Sequence, residues 1–209
     1  MTTYPGLPAP ALSDFLSRED SRSKYAAGTS FQIGRIELVA NTGTYVDAPF
    51  HRFETGADVA GLDLERLAGC NGVVFDATRS GRAIGPELFA EAVLGGIAVL
   101  VWTGWDRHWR TPEYGRGHPF LTRAAVERLV SRGPALVGID SLNIDDTDDG
   151  SRPAHTLLLE AGIPIVEHLT NLAALPLSGF RFYAVSAPVR GIGSFPVRAY
   201  AVLDGEEAE

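Results

Sequence analysis

The sequence is poor in the features that mark secreted and membrane proteins. Its 209 residues include a single cysteine, Cys70, so no disulfide can form within the chain and nothing indicates an oxidising compartment. The start of the chain lacks the basic segment and apolar run of a signal peptide. The longest apolar stretch, Ile97–Trp102, is far too short for a membrane span. We therefore expect a cytoplasmic protein with no membrane partner, in which Cys70 is a small core residue.

Positive charge and nucleotide-binding motifs are also scarce. Lysine and arginine number 18 against 26 aspartates and glutamates, a formal charge of −8, whereas nucleic-acid binding needs a basic face. Gly191-Ile192-Gly193 lacks the third glycine and the following helix of a dinucleotide-binding motif. The acidic run Asp145–Gly150 resembles the start of a calcium-binding EF-hand loop, but its twelfth position would be Thr156 instead of glutamate. These absences argue against nucleic acid, nucleotide and calcium as ligands.

The composition that remains is that of one ordinary globular domain. Hydrophobic residues make up 45% of the chain and charged residues 21%. A domain of this length buries roughly 70% of the surface of its extended chain, which is enough for a core without disulfides. We divide the chain into an N-terminal arm over residues 1–30, with a short helix around Ser13–Arg18, and an α/β domain over residues 31–209.

Apolar periodicity predicts that strands and helices alternate in the middle of the chain. Short β-branched runs indicate buried strands, and periods of 3.6 residues bounded by proline and glycine indicate helices. The predicted strands are Ile33–Ala40, Val73–Phe75, Ile97–Trp102, Leu136–Ile139, Ile163–Glu167, Phe182–Ser186 and Val197–Leu203, and the predicted helices are Pro86–Val93, Thr122–Arg132 and Pro153–Glu160. Because strands dominate both ends, this order favours a single α/β domain with a mixed sheet over a purely parallel one.

Two groups of polar residues are candidates for a functional site. Tyr45, Asp47 and His51 follow the first of these strands, and because proline interrupts this segment at position 49 we expect a loop that presents all three. Further along the chain, His155 lies in the first turn of a helix and Glu167 ends a strand. A buried carboxylate is costly unless it is paired, and carboxylate with imidazole is a ligand set for divalent metals. Taken alone, the second group is explained more simply by a capped helix and a salt-bridged glutamate.

The segment Asn41–His51 resembles the motif His-x-Gly-Thr-His-x-Asp-Ala-Pro-x-His of the cyclase family, which includes bacterial kynurenine formamidases and isatin hydrolase. The likeness covers nearly the whole chain from Ile36 to Leu203, through the segments Gly61–Glu65, Thr103–Asp106, His118–Pro119, Val137–Ser141, His155–Leu158, Gly162–Glu167 and Pro196–Arg198. It implies a swivelling β/β/α fold, assembly as a homodimer or homotetramer, and hydrolysis of an amide, lactam or lactone in a small molecule.

The resemblance also implies metal ligands, and here the sequence departs from the motif. The first two motif histidines, both metal ligands in the family, are replaced by Asn41 and Tyr45. An amide oxygen is a poor substitute for imidazole, and a tyrosine would have to ionise from a pKa of about 10 to become a strong ligand, so we do not expect a two-metal site. The ligands that the resemblance carries over are Asp47, His51, His155 and Glu167.

Two mechanisms remain open at this point. In the first, a single Zn²⁺ or Mn²⁺ lies among these ligands and polarises a carbonyl or activates a water, which suits a hydrolase. In the second no metal binds: His51 is the general base, Tyr45 donates a hydrogen bond to a developing oxyanion, and Asp47 or Glu167 orients the imidazole. This arrangement suits a cyclase, dehydratase or isomerase of secondary metabolism. A catalytically inactive binding protein is a third hypothesis.

The expected ligand in each case is a small molecule. We assign its binding to Asn41, to the aromatic residues Phe50 and Trp105, and to Arg52 and Arg198, since a guanidinium can hold a carboxylate through two hydrogen bonds. Phe53, Trp102 and Trp109 are further aromatic candidates for the pocket, although core packing explains most aromatic residues equally well.

Overall fold

The computed structural model describes residues 4–90 and 92–203, and its centre is an eight-stranded mixed sheet. The strands are β1 (Ala11–Leu16), β2 (Ile33–Glu37), β3 (Tyr45–Asp47), β4 (Ala68–Asp76), β5 (Ala83–Ile84), β6 (Ala98–Trp102), β7 (Phe120–Leu121), β8 (Leu136–Ile139), β9 (Ile165–Glu167), β10 (Phe180–Tyr183), β11 (Ser194–Pro196) and β12 (Tyr200–Leu203). The α-helices are α1 (Arg18–Arg22), α2 (Arg123–Arg132) and α3 (Pro153–Glu160). Within the described residues, no helix is long and apolar enough to cross a membrane.

The order of strands in the central sheet is β11-β3-β9-β8-β6-β4-β10-β12. The inner strands β9, β8, β6 and β4 are parallel to one another, and every other pairing in the sheet is antiparallel. Helix α2 connects β6 to β8 and helix α3 connects β8 to β9, as parallel neighbours require. The predicted single α/β domain with a mixed sheet is therefore confirmed.

Each face of the sheet buries its own apolar core, because successive side chains of a strand point to opposite faces. Val99 and Val101 of β6 pack with the helices, whereas Leu100 packs on the other face with Phe180 and Phe182 of β10. Full burial of a side chain of this kind contributes roughly 1.5–3 kcal/mol to folding. Residues 140–152 connect β8 to α3 at the carboxyl ends of the parallel strands, where they contribute to the candidate site.

Two predicted helices are wrong. The segment Ser13–Arg18 is mostly strand β1, and α1 begins only after Ser17, whose hydroxyl accepts a hydrogen bond from the amide of Asp20. Pro86–Phe89 forms a single 3₁₀ turn, at whose start Gly85 offers no side-chain cap. By contrast, α2 has a threonine cap and a left-handed glycine at its end, and the structure confirms it.

Strand β2 confirms the first predicted strand, but its surroundings differ from those of the other strands. Among the residues that the structure describes it pairs with β1 alone, in an antiparallel two-stranded ribbon whose residues are exposed except Leu16. The ribbon spans the boundary between residues 30 and 31 that we placed between arm and domain, and this division stays a prediction. Later in the chain, the predicted strand Val197–Leu203 is observed as β12, preceded by the separate short strand β11.

Candidate functional site

The first group of candidate residues lies on strand β3 and the turn after it, where we expected a loop. Tyr45 and Asp47 are two residues apart on β3, so their side chains point to the same face. The 3₁₀ turn Pro49–His51 then brings His51 back over Asp47, with His51 Nδ1 at 3.8 Å from Asp47 Oδ1. Proline occupies the first position of this turn, where its missing N–H is not needed. The strand and turn together replace the predicted loop.

The second group converges on the first through strand pairing and helix α3. Antiparallel pairing of β3 with β9 places Glu167 directly opposite Tyr45. His155, in the first turn of α3, has its Nε2 at 3.7 Å from Asp47 Oδ2 and 3.9 Å from Glu167 Oε1. The structure thus brings Asp47, His51, His155 and Glu167 together, and all but His51 are buried.

The ring of His155 is oriented by Asp145, a residue that the sequence reasoning had considered only within a rejected calcium loop. Asp145 Oδ2 lies 2.7 Å from His155 Nδ1 and 3.0 Å from the His155 amide, and Oδ1 accepts a hydrogen bond of 2.6 Å from the amide of Ala154. Because the carboxylate can only accept, Nδ1 carries the proton and Nε2 faces Asp47. A carboxylate behind an imidazole is the usual support of a histidine metal ligand.

Ser194 links Asp47 to His51 and was missed by the sequence reasoning. Its hydroxyl donates a short hydrogen bond to Asp47 Oδ1 and lies 3.0 Å from His51 Nδ1. The adjacent Gly193 packs so closely that a Cβ there would lie 2.3 Å from the backbone of His51. Ser194 reaches the site only because β11 pairs with β3, and the sequence carries no local signal of that pairing.

Glu167 is held by donors from three directions. The Tyr45 hydroxyl donates a short hydrogen bond to Oε2, the Ile144 amide donates one of 2.6 Å to Oε1, and Asn143 Nδ2 lies 3.5 Å from Oε2. Burial raises the pKa of Glu167, and burial together with the Glu167 charge holds the pKa of Tyr45 well above its usual value. Tyr45 is therefore a neutral hydrogen-bond donor at physiological pH.

The charge of His155 is set by the surrounding carboxylates. Burial lowers its pKa, but Glu167, Asp145 and Asp47 outweigh this effect and raise the pKa above its usual value. Glu167 accepts hydrogen bonds from Tyr45 and from a backbone amide, and these favour its ionised form against the effect of burial on its pKa. A cation, either a proton on His155 or a metal ion beside it, is therefore favoured at this position.

The donor set fits one divalent metal ion. Ligand atoms of Asp47, His51 and His155 all lie within 4.8 Å of one another. Asp47 Oδ2 is buried and has no hydrogen-bond partner in the described part of the chain. Ligand atoms around a tetrahedral zinc are about 3.3 Å apart, close to the 3.7 Å between Asp47 Oδ2 and His155 Nε2. Two imidazoles and a carboxylate suit Zn²⁺ or Mn²⁺.

A cavity of about 230 Å³ opens beside this cluster, lined by His51, Arg52, Asn143, Arg152 and His155. Of the predicted substrate-binding residues, Arg52 lines this cavity. Asn41 lies beside the Tyr45 hydroxyl, and Arg198 is exposed outside the cavity lining. Arg152 was not predicted, because arginine at the start of a helix is usually a surface residue.

The predicted aromatic residues do not line this cavity. Phe50 is half-buried on the turn before His51, and Phe53 and Trp102 pack against the two cores. Trp105 donates a hydrogen bond of 2.9 Å to the carbonyl of Tyr114. Trp109 packs against the ring of His168 with centroids 5.3 Å apart.

The ring of His168, the residue that follows Glu167, is surrounded by four aromatic side chains: Tyr4, Tyr45, Trp109 and Tyr114. Burial lowers the pKa of His168 to about 4, so its ring is neutral and packs as an aromatic residue. These rings pack together next to Glu167. This packing explains the positions of Trp109 and the tyrosines better than a substrate pocket does.

Structural neighbours share this architecture. A protein described as a potential metal-dependent hydrolase with cyclase activity aligns with a TM-score of 0.75 at 25% identity, covering 99% of this chain and 96% of its own. Isatin hydrolase A from Labrenzia aggregata, bound to benzyl benzoate, aligns with a TM-score of 0.79 at 23% identity, covering 98% and 88%. At this level of identity, the similarity to isatin hydrolase A shows the fold alone.

Sequence comparison gives the family. The kynurenine formamidase of Bacillus cytotoxicus is 30% identical over 191 residues, covering 84% of this chain and 86% of the relative. That of Geobacillus thermodenitrificans is 30% identical over 181 residues, covering 86% and 84%. The Cyclase family model matches residues 2–146, which include β3, His51 and the connection to Asp145. These matches, on a fold that carries the histidine and carboxylate cluster, show that the chain belongs to the cyclase family.

Proposed function

We propose that the protein is a hydrolase that cleaves an amide bond in a small aromatic molecule. The observation that carries this proposal is the buried oxygen Asp47 Oδ2, which has no hydrogen-bond partner in the described residues and faces His155 Nε2 at 3.7 Å. Leaving a buried carboxylate oxygen unpaired is costly, so the arrangement calls for a cation at this point. Kinship with kynurenine formamidases, which are amide hydrolases by name, supports the choice of bond.

Asp47, His51 and His155 would hold one divalent ion, Zn²⁺ or Mn²⁺. Such an ion polarises a carbonyl and lowers the pKa of a bound water. Asp145 keeps His155 Nε2 free for this role, because its carboxylate accepts the proton of Nδ1. Ser194 does the same for His51: its single proton is donated to Asp47, so His51 Nδ1 must donate to Ser194 and Nε2 keeps its lone pair.

Glu167 and Tyr45 would move and stabilise the proton that the hydrolysis requires. Burial raises the pKa of Glu167 towards neutrality, which suits a group that takes a proton from water and returns it to a leaving amine. Tyr45, held in its neutral form, donates a hydrogen bond that fixes Glu167 in place. The two motif histidines that the chain lacks are thus replaced by Asn41 and by Tyr45, whose hydroxyl donates to Glu167.

Metal analysis and turnover of an N-formyl aromatic amide test this function together. The purified protein should contain close to one equivalent of Zn²⁺ or Mn²⁺ and release formate, and His155→Ala should lose both. His108→Asn is the matched control, since His108 packs against Trp105 and does not line the cavity. Proton transfer and metal activation each contribute about two or more orders of magnitude to rate, so the loss should be at least 100-fold.

An active protein whose turnover survives complete removal of the metal would contradict the hydrolase mechanism. That result would favour the metal-independent cyclase, dehydratase or isomerase, in which His51 is the general base. Lack of turnover, together with His155→Ala leaving metal content unchanged, would instead favour a binding protein without activity.

We further propose that the chain assembles with a second copy of itself through the β1–β2 ribbon. A two-stranded ribbon is marginally stable alone in water, and this one exposes apolar residues on both faces. Leu12 and Ile36 are cross-strand partners and are 77% and 60% exposed. A small-molecule substrate and a second copy are the partners we propose, and the cytoplasm is the location we expect.

A further inference from the structure

Two arginine side chains face the cavity beside the histidine and carboxylate cluster. Arg52 follows the turn that carries His51, and its Nε lies 3.3 Å from Thr156 Oγ1. Arg152 precedes α3, and its Nη1 donates a hydrogen bond of 3.1 Å to Asn143 Oδ1. Each guanidinium has five N–H donors, so most donors of both remain available to a ligand.

Neither guanidinium has a carboxylate partner among the described residues, although the chain carries a formal charge of −8. Arg82 shows the alternative, because its guanidinium contacts both oxygens of Asp146, with Nη1 at 3.0 Å from Oδ2. Two like charges at one cavity repel each other unless an anion lies between them. The arrangement therefore points to a ligand with negative charge.

The backbone of Arg152 supports this interpretation. Arg152 has φ of 45° and ψ of 62°, in the left-handed region, and it precedes Pro153. This conformation costs a residue with a Cβ roughly 1–2 kcal/mol, and a following proline also disfavours helical angles. Glycine or asparagine would adopt it more readily. An arginine that keeps a strained backbone conformation beside a cavity indicates that its side chain has a role there.

We propose that Arg152 and Arg52 bind a carboxylate group of the substrate, so that the protein acts on small amides that carry a negative charge. This inference rests on the proposed hydrolase function, since the same cavity contains His51 and His155. An arginine fork matches the two oxygens of a carboxylate, and two arginines fix its orientation. The cavity of about 230 Å³ lies below the usual range for drug-sized ligands, which suits a single aromatic ring with a carboxylate.

Hydrolysis of an amide also creates a carboxylate, so the arginines could instead recognise only the product. A matched pair of substrates separates these sources: 2-formamidobenzoate and its methyl ester have the same amide and differ in one charge. We expect kcat/KM to be about 10- to 100-fold higher for the acid than for the ester. Equal kcat/KM for acid and ester, with strong inhibition by formate, the carboxylate that this hydrolysis creates, would show product binding only and would overturn the proposal.

Variants at Arg152 test whether this side chain is the cause. In Arg152→Gln, KM for the acid should rise about 10- to 100-fold with little change in kcat, while both parameters for the ester stay within about threefold. Arg152→Lys should restore part of the affinity, because it restores the charge without the fork. Arg123→Gln is the control, since Arg123 lies exposed on α2. Equal losses for acid and ester would refute a carboxylate site.

A binding measurement keeps this test separate from the hydrolase proposal. If wild type hydrolyses neither compound, titration with benzoate and benzamide by calorimetry still decides the matter. Benzoate should bind wild type more tightly than benzamide, and the preference should weaken in Arg152→Gln and at high salt. Identical binding of the two probes would refute the anion site whether or not the protein is a hydrolase.

Discussion

At the scale of single residues, the site is defined by which atom carries each proton. The Ser194 hydroxyl has one proton, which it donates to Asp47, so His51 Nδ1 must be the donor to Ser194. His155 is fixed in the same tautomer by Asp145. Nε2 is therefore the unprotonated nitrogen of both imidazoles, and that of His155 lies 3.7 Å from Asp47 Oδ2. Two independent hydrogen-bond networks give the same tautomer, which is the one a metal ligand needs.

Removing the Ser194 hydroxyl should misorient His51 without affecting the core. We expect Ser194→Ala to lower kcat/KM and metal affinity about 10- to 100-fold, the usual effect of removing a partner that supports a ligand. Ser131→Ala is the control, because the Ser131 hydroxyl bonds only the carbonyl of Arg128 on the surface of α2. Titration of the metal-free protein with Zn²⁺, alongside turnover, measures the effect. Unchanged metal affinity would show that His51 needs no such support.

At the scale of elements, helix α3 joins structure to function at its first turn. Asp145 accepts hydrogen bonds from the amides of Ala154 and His155 as well as from the His155 ring. The same carboxylate thus caps the helix and orients the ligand. In Asp145→Asn the amide oxygen can still accept a hydrogen bond. The NH₂ group, however, takes the place of the second carboxylate oxygen, which must also accept.

We therefore expect Asp145→Asn to lose both stability and metal affinity. The free energy of unfolding should fall by about 1–3 kcal/mol, and Zn²⁺ affinity by about 10- to 100-fold. Asp149→Asn is the matched control on the same connection, where the Asp149 side chain is exposed and accepts hydrogen bonds from Ser151. Chemical unfolding of the metal-free variants and calorimetric titration give the two quantities. A stable variant with normal affinity would show that the cap and the tautomer are set elsewhere.

A second link between elements depends on Asp140, which follows β8 and holds the segment that follows β6. Its Oδ1 accepts a hydrogen bond of 2.8 Å from the Thr103 amide, and its Oδ2 one of 2.8 Å from the Gly104 amide, so it anchors the segment after β6. Burial raises the pKa of Asp140 to about 6 in spite of these donors. A carboxyl whose pKa is higher in the folded state favours folding most at low pH, and this contribution is lost as pH rises through the folded value.

The free energy of unfolding of wild type, taken relative to Asp140→Asn, should accordingly fall with rising pH. We expect a decrease of up to roughly 3 kcal/mol between about pH 4 and pH 7, because asparagine does not titrate. Urea unfolding of both proteins at a series of pH values measures this difference. A constant difference across the range would mean that the Asp140 pKa is the same in the folded and unfolded states.

Elements differ in how far the sequence predicts them, and the reason is the range of the interactions that form them. Helix α2 has its cap, apolar stripe and terminal glycine within one segment, so its bounds follow from local pattern. Strand β3 has only three residues and exists because it pairs with β9 and β11. Tyr45, Asp47 and Glu167 were candidates from the local pattern, and the family resemblance assigned metal-ligand roles to Asp47 and Glu167. Ser194 and Arg152, by contrast, depend on long-range pairing and an unusual backbone conformation.

At the scale of the whole molecule, the candidate site combines distant segments of one sheet. The pairing of β3 with β9 joins residues 45–47 to residues 165–167, and β11 adds Ser194 on the far side of β3. The extension of a parallel sheet by antiparallel strands therefore creates the site, since neither part alone has all the ligands. The arrangement leaves the β1–β2 ribbon outside the main sheet, with its apolar side chains exposed.

The exposed ribbon predicts an assembly that point substitutions can dissociate. Wild type should sediment as a dimer or tetramer, whereas the double variant Leu12→Ser and Ile36→Ser should sediment as a smaller species, because it removes an apolar cross-strand pair. Leu177→Ser is the control, since Leu177 is 62% exposed and lies outside the ribbon. Circular dichroism would show that the variants keep the fold. A monomeric wild type, or a double variant of unchanged size, would refute assembly through the ribbon.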